Sequence, residues 1–108
     1  MFISLLAFAL QDHPADRYIS LSALTGGTLA AECEHDRGLQ MDMCTSYILG
    51  VADALQISRK TCRPQSDAAT LQTVTIVRRY IKAHPEKWSM SPVLLVQEPL
   101  IAAFPCGR

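Results

Sequence analysis

Four cysteines in a chain of 108 residues constrain its fold more than any other feature of the sequence. Cys33, Cys44, Cys62 and Cys106 are separated by 11, 18 and 44 positions. No Cys-x-x-Cys pair occurs, so the spacing does not suit a zinc site. An even count in a small domain predicts two disulfides, and with them an oxidising compartment. Geometry narrows the pairing. If one helix ran from Cys33 to Cys44, the two would lie about 16 Å apart along its axis. A disulfide needs Cα atoms within about 7 Å. The chain must therefore reverse between them, and the charged run Glu34-His35-Asp36-Arg37-Gly38 supplies the place, at Gly38. Cys33 then sits near Cys44 and about 20 Å from the far end of the second helix, where Cys62 emerges. Pairing Cys44 with Cys62 would require the short loop to run back along its own helix. The expected bridges are Cys33–Cys44 and Cys62–Cys106.

The apolar periodicity predicts helices throughout. A short first helix follows Thr25-Gly26-Gly27-Thr28, with Thr28 as its N-cap, and spans about Leu29 to Cys33. The second covers about Gln40 to Ile57, where Cys44, Tyr47, Ile48, Val51 and Leu55 form one stripe. It reads as the central helix. Gly50 inside it costs about 1 kcal/mol against Ala, which predicts close approach of another backbone there. Tyr47 reads as core, and Asp53, one position off the stripe, as a partner for a neighbouring backbone or for solvent. Ser66 or Asp67 caps a third helix running to about Ala83, with Leu71, Val74, Val77 and Ile81 inward and Tyr80 beside them. Arg78, Arg79 and Lys82 gather where the negative end of its dipole lies, and His84-Pro85 ends it. Ser91-Pro92 is an N-cap followed by proline at the first helical position. The fourth helix runs to about Phe104, and Pro99 within it predicts a kink or a break.

The fold class expected is all-α, a small bundle of about four to five helices stapled by two disulfides. Residues 16–108 read as one domain. Residues 1–15 read as the remnant of a signal peptide, because Phe2 to Leu10 is apolar except for Ser4 and Ala7-Phe8-Ala9 has the small-x-small form of a cleavage site. No Lys or Arg precedes the run, so a short buried N-terminal segment is the other reading. The run is too short to span a bilayer. Lys plus Arg equals Asp plus Glu, and no basic stripe is visible, which argues against a nucleic-acid partner.

The chain also lacks the makings of an active site. Pairing all four cysteines removes the nucleophile. His84 sits at a helix end in a structural role, and His35 in a solvated turn. No paired carboxylates, glycine-rich phosphate loop or HExxH motif occurs. No enzymatic activity, metal or cofactor is expected. The loop Ser58 to Gln65 is the first candidate for contacting a partner. It carries Arg59, Lys60, Arg63 and Gln65, and a bridge through Cys62 would hold it rigid, which lowers the entropy lost on binding. Trp88 is a second candidate, either covering the end of the core or anchoring an interface.

Several short motifs run in order along the chain: Leu29-x-x-x-Cys33, Cys44-x-x-Tyr47-Ile48-x-Gly50-Val51-x-Asp53, Cys62-x-Pro64, Val74-x-x-Val77-x-x-Tyr80-Ile81-x-x-His84-Pro85-Glu86, and Ala103-Phe104-Pro105-Cys106. In these the sequence resembles the Tai-type family of periplasmic immunity proteins, which neutralise amidase effectors of type VI secretion systems. The resemblance covers about Leu29 to Cys106. It implies a non-enzymatic, exported all-α protein with two disulfides that binds a peptidoglycan amidase and blocks its cysteine–histidine active site. Members often dimerise, so a homodimer is an expectation too. The abbreviated signal segment and Pro99 depart from the family pattern. The alternative function is an envelope accessory or chaperone-like binding domain on the same scaffold, with no toxin partner.

Overall fold

The computed structural model describes residues 24–35 and 41–107. They form four α-helices: α1 Gly26–Glu32, α2 Met43–Ile57, α3 Asp67–Ala83 and α4 Pro92–Ala103. A 3-10 turn at Pro85–Lys87 leads into α4. The all-α class holds, and so do both bridges: Cys33–Cys44 has Cα atoms 5.0 Å apart and Cys62–Cys106 has them 4.8 Å apart. Residues 1–15, the reversal placed at Gly38 and the helix start placed at Gln40 lie outside the described residues.

Three of the four helices, α1 to α3, begin where a side chain satisfies an orphaned backbone donor. Asp42 Oδ1 accepts from Thr45 N at 2.8 Å, and Ser66 Oγ accepts from Ala69 N at 3.1 Å. At α1 the cap is Thr25, not Thr28: Thr25 Oγ1 accepts from Thr28 N at 3.1 Å. Gly26 explains the earlier start. Its N–H donates to the Met90 carbonyl at 2.9 Å. A Cβ there would lie 2.6 Å from Leu95 Cδ1, 2.7 Å from the Trp88 carbonyl oxygen and 2.8 Å from that of Met90. Only glycine lets α1 press this closely on the loop before α4. The close approach expected at Gly50 does not occur. Gly50 is exposed, and a Cβ there would meet nothing within 4 Å.

α2 and α4 each pack against all the other helices, so the centre is shared rather than held by α2 alone. Leu29, Ile48, Val74, Val77, Ile81, Leu95, Val96 and Leu100 form the buried core, and Tyr47 and Trp88 pack against it. Burial pushes the ionisation of the Tyr47 hydroxyl upward. Leu71 is 45% exposed, contrary to its place on the expected stripe. The buried face of α3 drifts at that end toward Ala69 and Thr73. α4 runs without a break through Pro99. Proline supplies no donor to the Leu95 carbonyl. The turn is held instead by burial of Leu95, Val96, Pro99 and Leu100. Ser91 sits at the N-cap, but its side chain makes no capping bond, and only its carbonyl engages the helix, accepting from Leu94 N at 3.0 Å.

Arg78 is the largest departure from the sequence reading. It does not face solvent beside the helix dipole, since only 8% of its side chain is exposed. Its guanidinium donates to the carbonyls of Cys33 (3.2 Å) and His35 and to Thr45 Oγ1 (3.3 Å). It also lies 3.6 Å from Asp42 Oδ2. One cation thus ties α3 to the end of α1 and the start of α2, at the corner that the Cys33–Cys44 bridge closes.

Two contrasts test this arrangement by thermal or denaturant unfolding. Gly26→Ala is expected to destabilise by about 2 kcal/mol through overpacking, whereas Gly50→Ala gains up to about 1 kcal/mol of helix propensity. Arg78→Met is expected to cost about 3 kcal/mol, because it leaves the buried carbonyls without their charged donor. Arg79→Met, on an exposed position of the same helix, should change stability by less than about 0.5 kcal/mol.

Candidate partner-binding loop

α2 ends in a tightly hydrogen-bonded turn. Lys60 N donates to the Leu55 carbonyl at 2.8 Å and Arg59 N to that of Gln56 at 3.1 Å. This 6→1 and 5→2 pair is a Schellman motif, in which the residue after the C-cap turns left-handed. That residue is Arg59, with φ 63°. Glycine is usual at such a position, and a side-chain-bearing residue is strained there by about 1 kcal/mol. The surroundings fix it in place. Ser58 Oγ donates to the Ala54 carbonyl at 2.9 Å, Thr61 is buried, and Cys62 N donates to the Phe104 carbonyl at 2.9 Å. The Cys62–Cys106 bridge follows, with the Cys106 sulfur 3.5 Å from the Arg59 carbonyl oxygen.

The far side of the loop is pinned back onto α2. Gln56 Oε1 accepts from Arg63 N at 3.1 Å, and its Nε2 reaches the Arg63 carbonyl at 3.5 Å. The Arg63 guanidinium donates to Asp53 Oδ1 at 3.0 Å. The Arg63 side chain is only 8% exposed, while that of Asp53 is 70% exposed. Arg63 therefore holds the loop's shape, and its charge is offset by Asp53. Arg59, Lys60 and Gln65 are exposed and carry the loop's outer surface. The roles of Gln56 and Asp53 follow from a turn that brings residues seven and ten positions apart together, which helical periodicity does not reveal.

Trp88 stands at the other end of the bundle. Gln65 precedes α3 and Trp88 follows it, and the 17 residues of α3 span about 25 Å. The indole Nε1–H donates to the Ile81 carbonyl at 2.9 Å, so Trp88 is fastened to the core end. It also lines a groove of about 850 Å³ between α1 and α3, together with Ala30, His35, Arg79, Lys82 and Pro85. The structure thus gathers Arg59, Lys60, Arg63 and Gln65 in one loop and leaves Trp88 apart from them.

A charged network flanks Trp88. Lys87 Nζ donates to Tyr80 Oη at 2.9 Å and to Glu98 Oε1 at 3.1 Å, and the Tyr80 hydroxyl donates to Glu98. The Tyr80 hydroxyl, then Lys87, holds the Glu98 carboxyl below the usual carboxylate range. Tyr80 and Glu98 in turn push the Lys87 ammonium upward. His84 stacks on Tyr80 with ring centroids 4.3 Å apart, and its Nδ1 lies 2.9 Å from Glu86 Oε2, which lowers the Glu86 carboxyl.

All four cysteines are in disulfides. Among the described residues, no group of three or more His, Cys, Asp or Glu side chains is placed to hold a metal ion. With every cysteine sulfur paired, none is available as a thiolate nucleophile. A model of the family described as Rap1a immunity proteins matches residues 25–106. No curated protein and no solved structure matches the chain.

The Glu98 network makes stability depend on pH in one direction. A carboxyl whose folded value is lowered contributes stability above its unfolded value, and loses it as pH falls through the folded value. Glu98→Gln should lower the melting temperature at pH 7, and the difference from wild type should shrink as pH falls below about 4. A constant difference between pH 7 and pH 3 would show that the carboxylate's charge is not what Tyr80 and Lys87 engage.

Proposed function

The chain belongs to the Rap1a immunity proteins, a Tai-type family, and on that premise we propose that it blocks its amidase target with the loop 58–65. As a family member it neutralises a type VI secretion amidase effector, which it binds as a non-enzymatic inhibitor. The match over residues 25–106 carries this function. The two disulfides and the family together suggest the periplasm. We also propose that residues 1–15 are the remainder of an export signal and that residues 16–108 form one domain.

The loop is the proposed contact because its shape is fixed before any partner arrives. Cleft-blocking inhibitors gain affinity when little ordering entropy remains to be lost. Here the Schellman turn, the Gln56 and Asp53 ties and the Cys62–Cys106 bridge support such rigidity. Arg59 and Lys60 bring positive charge, which would raise the association rate with an acidic rim around the target's cleft. The homodimer is likewise a proposal. The outer face of α2 exposes Met43, Ser46, Gly50, Asp53 and Ile57, with Asp53 as its only charged side chain, so a second copy would meet a mixed face of low charge.

Inhibition of a type VI peptidoglycan amidase from the same genome tests the reading. The oxidised wild-type chain should inhibit stoichiometrically. The variant R59E/K60E should bind about 10- to 100-fold more weakly, in line with losing charges at an interface, while keeping its melting temperature. Unchanged inhibition by that variant would move the contact away from the loop, with Trp88 and its groove the next surface to alter. Sedimentation at micromolar concentration reads the dimer directly, and a single monomeric species would overturn that part.

A further inference from the structure

We propose that Cys62–Cys106 is a redox latch on the binding loop: an accessible dithiol opens this bridge alone, and the opened chain stays folded but loses its grip on the amidase. The loss of binding rests on the loop being the contact, and the selective opening does not.

The two bridges sit in different surroundings. Cys33 is 8% exposed and Cys44 is fully buried, beneath the Arg78 corner. Cys62 is exposed and Cys106 half-buried, at the end of the molecule where the loop meets the tail. Thiol–disulfide exchange requires a thiolate to reach a sulfur. Cys62–Cys106 offers that approach directly, whereas in the other bridge Cys44 is fully buried and Cys33 meets the groove between α1 and α3 with only 8% of its surface. Its electrostatics favour the same bridge. Arg59 and Lys60 stand exposed just ahead of Cys62, residues 58–66 contain no Asp or Glu, and Asp53 is engaged by Arg63. An approaching thiolate is anionic and is drawn toward this positive patch.

The bridge also lies outside the packing that maintains the fold. It joins the loop to the tail beyond α4, and neither cysteine is in the core cluster of Ile48, Val77, Leu95 and Leu100 or at the Arg78 corner, so opening it lowers stability by freeing the loop it closes but removes no core contact. What does depend on it is the shape of the loop. A left-handed Arg59 persists only where its surroundings over-determine it. The Cys106 sulfur against the Arg59 carbonyl, and the Cys62 N–H to Phe104 bond, are two of those constraints.

The chemistry balances with a dithiol as co-reactant. Its thiolate attacks the Cys62 sulfur, the Cys62–Cys106 bond breaks, and Cys106 leaves as a thiolate that takes up a proton. The second thiol of the reagent then displaces Cys62 from the mixed disulfide. Two electrons and two protons pass to the protein, giving two cysteine thiols and one oxidised reagent.

Dithiothreitol is the probe. The oxidised protein is titrated with it under native conditions, free thiols are trapped by alkylation, and the modified cysteines are mapped by mass spectrometry. Helical circular dichroism and amidase binding are followed in parallel. The expected result is modification of Cys62 and Cys106 at reductant concentrations at least tenfold below those needed for Cys33 and Cys44. The helical signal should persist, and amidase binding should fall at least tenfold. C62S/C106S should reproduce the opened state: helical, less heat-stable and weakly binding. Joint modification of all four cysteines with loss of helix overturns the latch, as does an opened form that binds like wild type or a C62S/C106S chain that does not fold. Failure of the interface reading is distinguishable, because there R59E/K60E binds normally while Cys62–Cys106 still opens first.

Discussion

The buried guanidinium of Arg78 is the constraint on which the rest of the bundle depends. α1 has only seven residues and would not persist as an isolated helix in water. Two things hold it: the Cys33–Cys44 bridge at its end, and the hydrogen bonds that Arg78 gives to the Cys33 and His35 carbonyls. The same cation reaches Thr45 and Asp42 at the start of α2. Removing a charge from water is costly unless it is paired and hydrogen-bonded; here Nη1 and Nη2 carry those bonds while the buried Nε has no partner, so the corner depends on the two outer nitrogens. Its geometry in turn sets how α1 lies across α4, where Gly26 permits backbone contact with Trp88 and Met90.

The two ends of the domain are built on different physics. The Arg78 end joins helices through a buried bridge and a buried charge. The loop end is shaped by backbone hydrogen bonds and an accessible bridge, with Arg59 left-handed at its tip. A covered bridge suits a permanent staple, and an accessible one suits a surface that must be both rigid and presented. Binding sites on loops held by a rigid scaffold are a general solution to that requirement. The proposed loop contact would use such a projection, since an inhibitor that binds an enzyme need contribute shape and charge but no chemistry.

Much of this was legible from the residues. Cysteine spacing with helix geometry gives both bridges, because 11 positions in one helix cannot bring Cys33 to Cys44 without a reversal. A cap at Ser66 or Asp67, which proves to be Ser66, and His84-Pro85 as the stop bound α3 because their chemistry is local. The misreadings share a cause, which is that tertiary partners decide them. Gly50 and Gly26 are both glycines in helices, yet only Gly26 faces another backbone. Arg78 and Arg79 are adjacent in sequence but about 100° apart around α3, and the corner formed by α1 and α2 covers the first and leaves the second exposed. In the loop the cationic residues were legible as a group. That Arg63 is used internally was not, because its partners Gln56 and Asp53 meet it only after the turn closes.

A hydrogen–deuterium exchange footprint of the chain bound to its amidase tests the loop contact directly. Protection gained on binding is expected to concentrate in residues 58–65, with α1 and the Trp88 groove unchanged. New protection confined to the groove between α1 and α3, with 58–65 exchanging as in the free protein, would contradict it.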